Sequence, residues 1–264
     1  MRTRTVAVST LILSFVQVCA LSGQQKPADP AASGLREYPV TFQQGVTAGK
    51  TRYLPNWVDL TRVKPLNSGG YRAQLGISAD AVVVLFSGSL SGKQGLMVIP
   101  GTAKLLRSRD EIVFVVCGEG IMKSELQTAA AGLRNVRFMP LQPAGQVSEL
   151  LAMADIHLLP QSPDAADLVL PSKLGGMLAS GRPVIATCRA GTEISEIVSQ
   201  CGLVVAPENS VQLAHAISTL ADDPERRKSL GRRARTFAEN NFERNAVLRT
   251  VFAPFEINDR QLAL

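Results

Sequence analysis

The sequence predicts an α/β domain, built as a doubly wound, Rossmann-like parallel sheet over residues 76–221. Three observations carry this expectation. Six short runs are apolar almost throughout rather than alternating, as strands covered on both faces are. A helix-like segment separates each run from the next, which means parallel strands joined by crossover helices. The first two runs end in glycine-containing turns, Ser87-Gly88 and Gly118-Glu119-Gly120, of the kind that lead a strand into its helix.

Taken in order, the predicted strands are Ala81-Val82-Val83-Val84-Leu85-Phe86, Ile112-Val113-Phe114-Val115-Val116-Cys117, Val136-Arg137-Phe138-Met139, Ile156-His157-Leu158-Leu159, Pro183-Val184-Ile185-Ala186-Thr187 and Gly202-Leu203-Val204-Val205. The predicted helices occupy 93–108, 121–131, 145–153, 172–180, 192–199 and 209–221, and Pro100-Gly101 is expected to interrupt or kink the first. One or two closing helices follow over 234–252, within a closing region of 222–257 and ahead of a tail at 258–264. Upstream, Met1-Arg2-Thr3-Arg4, an apolar run over 6–21 and small residues at Ala20 and Ser22 have the shape of a secretory signal over 1–22. Ser9, Thr10, Ser14 and Gln17 interrupt that run, which weakens it as a membrane span. The other reading is that this start is an accident of how the gene begins. Residues 23–41, with Pro27, Pro30, Ser33 and Gly34, read as a flexible linker.

Composition bounds the function. With 264 residues, 45% hydrophobic and 19% charged, the chain can bury a full core, so disorder, collagen and coiled coil are excluded. A net charge of +6 points to anionic partners. The basic residues are scattered except over 225–235, and no aromatics interleave with that run, so a solvated helix face is expected there and no nucleic-acid partner. Two histidines, four cysteines and the lack of Cys-x-x-Cys, His-Glu-x-x-His or Asp-x-Asp spacings give no metal site and no cofactor.

Sheets of this class bind ligands beyond the carboxyl ends of their strands. There, Gly88, Gly92 and Gly95 with Lys93 suit a diphosphate, through close backbone approach and a positive charge. Gly118-Glu119-Gly120 is similar, with turn-making as the plainer reading. Gly45 to Gly49-Lys50-Thr51 is one residue short of a P-loop and runs into Tyr53-Leu54-Pro55, so it is rejected. Pro171-Ser172 starts a helix with Lys173 in its first turn, where a cation opposes the helix dipole unless a phosphate shares that end. His157, flanked by Ile156 and Leu158, is expected in the core, Cys117 likewise, and His215 on a helix surface. Glu193 and Glu196 open a helix, where acids are favoured in any case.

Several of these segments occur together and in order: Lys93-Gln94-Gly95-Leu96, Cys117-Gly118-Glu119-Gly120, Asn135-Val136-Arg137-Phe138, Ala154-Asp155-Ile156, Pro171-Ser172-Lys173-Leu174 and residues 179–187. As a collinear set they resemble the C-terminal domain of retaining GT-B glycosyltransferases of family 4, above all the group that builds exopolysaccharides such as colanic acid. Tyr53-Leu54-Pro55-Asn56-Trp57-Val58-Asp59 is similar to that group's interdomain segment, which assigns 42–75 to such a region.

The resemblance implies a nucleotide-sugar donor and a saccharide or lipid-linked acceptor. Lys93 and Lys173 would serve catalysis by neutralising the departing diphosphate, with Gly88, Ser89, Gly92 and Gly95 around it. Gly118, Glu119, Gly120 and Phe138 would cradle the nucleoside. Pro171 and Ser172 would line the same site. A place for Glu193 near the sugar or phosphate is the lesser reading beside its helix-start role. Three departures from the family pattern stand out. Ser89 replaces an arginine or asparagine. The E-x7-E motif is absent, with Leu168 and Gly176 at its glutamate positions and Asp167, beside the first, as the available substitute. About 75 residues precede the sheet, too few for the N-terminal GT-B domain. The expectation is therefore a donor-binding half that works with a separate polypeptide, the alternative being a non-catalytic nucleotide-binding remnant. Because activated sugars are cytosolic, the resemblance implies a cytoplasmic chain with loose inner-membrane association. Export, in which Cys188 and Cys201 could pair, is the alternative.

Overall fold

The computed structural model describes residues 55–67, 70–165 and 170–252, all within the unit Leu54–Leu264. The signal-like segment, the linker, Asp167, Leu168 and residues 253–264 lie outside the described residues.

Six strands form one sheet: β1 (Val82–Ser87), β2 (Ile112–Cys117), β3 (Val136–Met139), β4 (Ile156–Pro160), β5 (Val184–Thr187) and β6 (Gly202–Val205). Their order is β3-β2-β1-β4-β5-β6, and every pairing is parallel. Nine helices flank them among the described residues: α1 (Tyr71–Gln74), α2 (Val98–Leu105), α3 (Lys123–Ala129), α4 (Val147–Ala152), α5 (Lys173–Ala179), α6 (Glu193–Cys201), α7 (Ser210–Asp222), α8 (Pro224–Asn241) and α9 (Arg244–Phe252).

The unbroken apolar runs have a plain cause. Successive strand residues face opposite sides, and each side carries its own core. On one side Val82, Val84 and Phe86 of β1 pack with Phe114 of β2, Ile156 and Leu158 of β4, and the apolar faces of α2 and α7. Val83 and Leu85 pack on the other side with Val113, Val115, Leu150 and Met153. A third cluster joins β4 and β5 to α5, α6 and α8 through Leu159, Val184, Leu174, Met177, Val198 and Ala234. Burying each large apolar side chain of these clusters contributes about 1.5–3 kcal/mol.

Two expectations need correction. The segment 93–108 is not one helix kinked at Pro100. A 3-10 turn (Gly92–Gln94) ends at Gly95, whose φ of 60° breaks the run, and α2 starts afresh at Val98. Pro100 thus falls in the first turn of α2, where its missing N–H costs no intrahelical bond. The closing helices also start earlier than residue 234. Asp223 caps α8, accepting from the Arg226 N–H at 2.8 Å, and Pro224 takes the first helical position.

The segment before the sheet packs on the same body. The Val58 N–H donates to the Phe242 carbonyl at 2.8 Å, the Arg244 N–H donates to the Val58 carbonyl at 3.2 Å, and Val58 is buried beside α5. The Asn56 side-chain amide donates to the Leu170 carbonyl at 2.7 Å, just ahead of α5.

Candidate functional site

The strand order reverses between β1 and β4, and that is where doubly wound sheets open a crevice for a ligand. The β1–β4 register stops at Leu85–His157, two residues before β1 ends. Three glycines shape the loops above this edge. The Gly88 N–H donates to the Cys117 carbonyl at 2.9 Å and the Leu90 N–H to the Glu119 carbonyl at 2.8 Å. A Cβ at Gly118 would lie 1.9 Å from the Gly88 oxygen, and one at Gly120 would lie 2.3 Å from the Leu90 oxygen. Only glycine permits that approach, so the turn-making role of Gly118 and Gly120 is real whatever else they do.

Lys173 reaches this edge from the first turn of α5. Its Nζ lies 4.3 Å from the centroid of the Phe86 ring and donates to Gln94 Oε1 at 2.5 Å. The lysine stem runs past Gly88, where a Cβ would stand 3.5 Å from Cδ. Among the described residues no carboxylate pairs with Nζ, and Gln94 is its only hydrogen-bond partner. Burial alone pushes the Lys173 pKa from 10.5 down to about 7. A half-buried cation that meets no carboxylate among the described residues, at the edge where doubly wound sheets open their crevice, has the chemistry to take an anion.

The remaining predicted residues divide. Gly88, Gly92 and Gly95 share the loop with Lys93, whose side chain is exposed and whose carbonyl accepts from the Ser162 N–H at 3.2 Å. Ser89 is exposed on the same loop. Glu119 is exposed and its carboxylate is taken by Lys123 at 2.7 Å. Phe138 packs on the core behind β1 and β2. Pro171 is half-buried, and Ser172 sits at the α5 N-cap without a side-chain cap bond. A Cβ at Gly176 would point to Leu151 of α4, 3.5 Å away. Glu193 opens α6, after Thr192, which caps the helix by accepting from the Ser195 N–H. Sequence reading missed Gln94 and Phe86. Gln94 stood beside Lys93 in a recognised segment, but nothing local marks it as the residue that turns inward.

His157 is fully buried, with its pKa pushed to about 3 by burial and then by the Arg182 charge. Ser180 Oγ donates to the Met177 carbonyl at 2.6 Å, so the 2.9 Å contact to His157 is donated by Nε2–H. A neutral core histidine results. Cys117 Sγ donates to the Pro140 carbonyl, and burial pushes its thiol up to about 11. Among the described residues, no three His, Cys, Asp or Glu side chains cluster as a metal site would need, and no helix is long and apolar enough to cross a membrane.

Residues 81–223 match the model of the family "Glycosyl transferases group 1". The chain belongs to the group 1 glycosyl transferases. Among relatives of this group 1 domain, WcaI of Escherichia coli (strain K12), a glycosyl transferase named for colanic acid biosynthesis, is 33% identical over 216 residues, 79% of this chain and 52% of WcaI. The D-inositol 3-phosphate glycosyltransferase of Arthrobacter sp. (strain FB24) is 29% identical over 203 residues, 74% of this chain and 47% of that protein. The chain thus spans about half the length of the curated relatives it matches. Among solved structures, Anabaena HepE in complex with UDP and glucose superposes with a TM-score of 0.67 at 20% identity, over 81% of this chain and 59% of HepE. The C-terminal domain of the group 1 protein LpcC from Francisella tularensis gives a TM-score of 0.57 at 19% identity, over 70% of this chain and 98% of that domain. The group 1 domain therefore has the fold of the C-terminal half of GT-B enzymes.

Proposed function

We propose that this domain holds a nucleotide-sugar donor for retaining, family 4-type transfer of the sugar to a saccharide or lipid-linked acceptor in exopolysaccharide synthesis. The observation that carries the reading is the Lys173 ammonium, which meets no carboxylate among the described residues at the β1–β4 edge. In the reaction the bond from the anomeric carbon to the β-phosphate oxygen breaks, and the electron pair leaves with the diphosphate. The acceptor oxygen bonds to the anomeric carbon, and its proton passes to the departing diphosphate. Negative charge therefore grows on the departing phosphate, and a fixed cation beside it lowers the barrier. The exopolysaccharide role draws on the likeness to WcaI, and the nucleotide donor on the ligands of HepE.

A second reading keeps nucleotide binding without turnover. Gly176 favours it, because it offers no side chain where the family carries a glutamate. Thermal melts of the full chain with UDP, GDP, ADP and their sugar conjugates test donor binding. Ligand at a hundredfold over its Kd adds about 2.7 kcal/mol, which raises the melting temperature by about 5–10 °C. A cooperative melt that no nucleotide moves would refute donor binding. Sugar transfer from the shifting nucleotide, once an acceptor domain is added, separates the enzyme from the module.

A further inference from the structure

We propose that Gln94 is a positioning residue for the phosphate seat: its side-chain oxygen holds the Lys173 ammonium over Phe86 and so governs the strength of the phosphate contact. This inference rests on the donor reading above. Gln94 ends the 3-10 turn Gly92–Gln94, and its backbone is fixed from two sides. The Ser162 N–H donates to the Lys93 carbonyl at 3.2 Å, and Gly95 lies so close to the β4 loop that a Cβ there would stand 2.9 Å from the Gln161 oxygen. The Gln161 N–H in turn donates to the Thr187 carbonyl at 3.0 Å, at the end of β5. The turn is thereby tied to the sheet, and the Gln94 side chain bridges from it to Nζ at 2.5 Å.

A neutral acceptor suits this place. It orients the ammonium and favours its charged form without cancelling the charge that a phosphate would meet. A carboxylate at the same position would hold Lys173 more tightly and repel the ligand. On the two turns that pack together the ionisable side chains are Lys93, beside Gln94, and Asp164, on the 3-10 turn Pro163–Ala165; on α8, which packs on α5, Arg235 is engaged by Glu239 and by the Val63 and Ala179 carbonyls. Lys93 and Asp164 are exposed, and neither bonds to Nζ among the described residues.

The test uses the full chain carrying Q94L or Q94E, with two readouts. One is the pH midpoint of the Lys173 ε-methylene in ligand-free NMR titrations. The other is the Kd for UDP and for inorganic pyrophosphate at pH 6 and 7.5. Q94L should lower the midpoint and weaken binding about tenfold at pH 7.5, with a smaller loss at pH 6. Q94E should raise the midpoint and weaken binding at both pH values. Midpoints that stay in place in both variants, or an unchanged Kd, overturn the role of Gln94 and leave the donor reading standing. A wild-type chain that binds neither probe overturns the phosphate seat together with the donor reading, even where the midpoints move. Q94E keeps the side chain's shape and carries the test if Q94L fails to fold.

Discussion

Replacing Lys173 by methionine should make the ligand-free protein more stable and abolish its response to nucleotides. Methionine keeps much of the length and apolar stem of the lysine and removes the ammonium. The fall of the Lys173 pKa from 10.5 to about 7, at about 1.36 kcal/mol per pH unit, places a ceiling of about 5 kcal/mol on the cost of keeping that cation charged without an anion. The side chain is only half-buried, so water screens it, and a gain of about 1–2 kcal/mol is expected. The sign follows from proton binding. Below pH 7 both folded and unfolded lysine are protonated, and the cost is fully present. Between pH 7 and about 10.5 the unfolded chain holds the proton that the folded chain has released, so wild-type stability rises with pH. Denaturant unfolding of the 264-residue wild-type chain and of K173M from pH 6 to 9.5 measures this. The gap between them should be widest at pH 6 and narrow steadily above pH 7. A gap independent of pH refutes the argument, as does a variant less stable than wild type at pH 6.

Two further outcomes are expected. Gly118→Ala would put a Cβ 1.9 Å from the Gly88 oxygen, so it should lower stability by about 3 kcal/mol or more and disturb the loop after β1; unfolding within a few tenths of wild type would show that the loops can part freely. Glu208 has a φ of 57°, and Glu208→Gly should raise stability by about 1 kcal/mol by relieving that conformation, a gain readable in a thermal melt.

Much of the fold was legible because a strand buried on both sides must be apolar at every position. β2, β3 and β6 fall where the runs lie, β1 shifts by one residue, and β4 and β5 differ by one residue at a single end. The break at Gly95 was not legible, because a proline inside a helical stretch is a stronger local signal than a glycine that must pass another backbone. Gly88 and Lys173 were each singled out in the sequence as candidates to meet a phosphate, one from its turn and one from its place against the helix dipole. Their meeting was not legible, since 85 positions separate them.

The sequence by itself determined the α/β class, the chain order of strands and helices, and the membership in a glycosyl transferase family, because all three are written in local pattern and short motifs. Only the tertiary structure decided which loop residue faces Lys173. Lys93 and Gln94 are neighbours of similar length and polarity, and composition favours the charged one for a phosphate. The 3-10 turn pinned to the β4 loop leaves Lys93 exposed and sends Gln94 to the ammonium. That choice depends on backbone contacts between segments about 70 residues apart, Lys93 and Ser162, which no local pattern encodes.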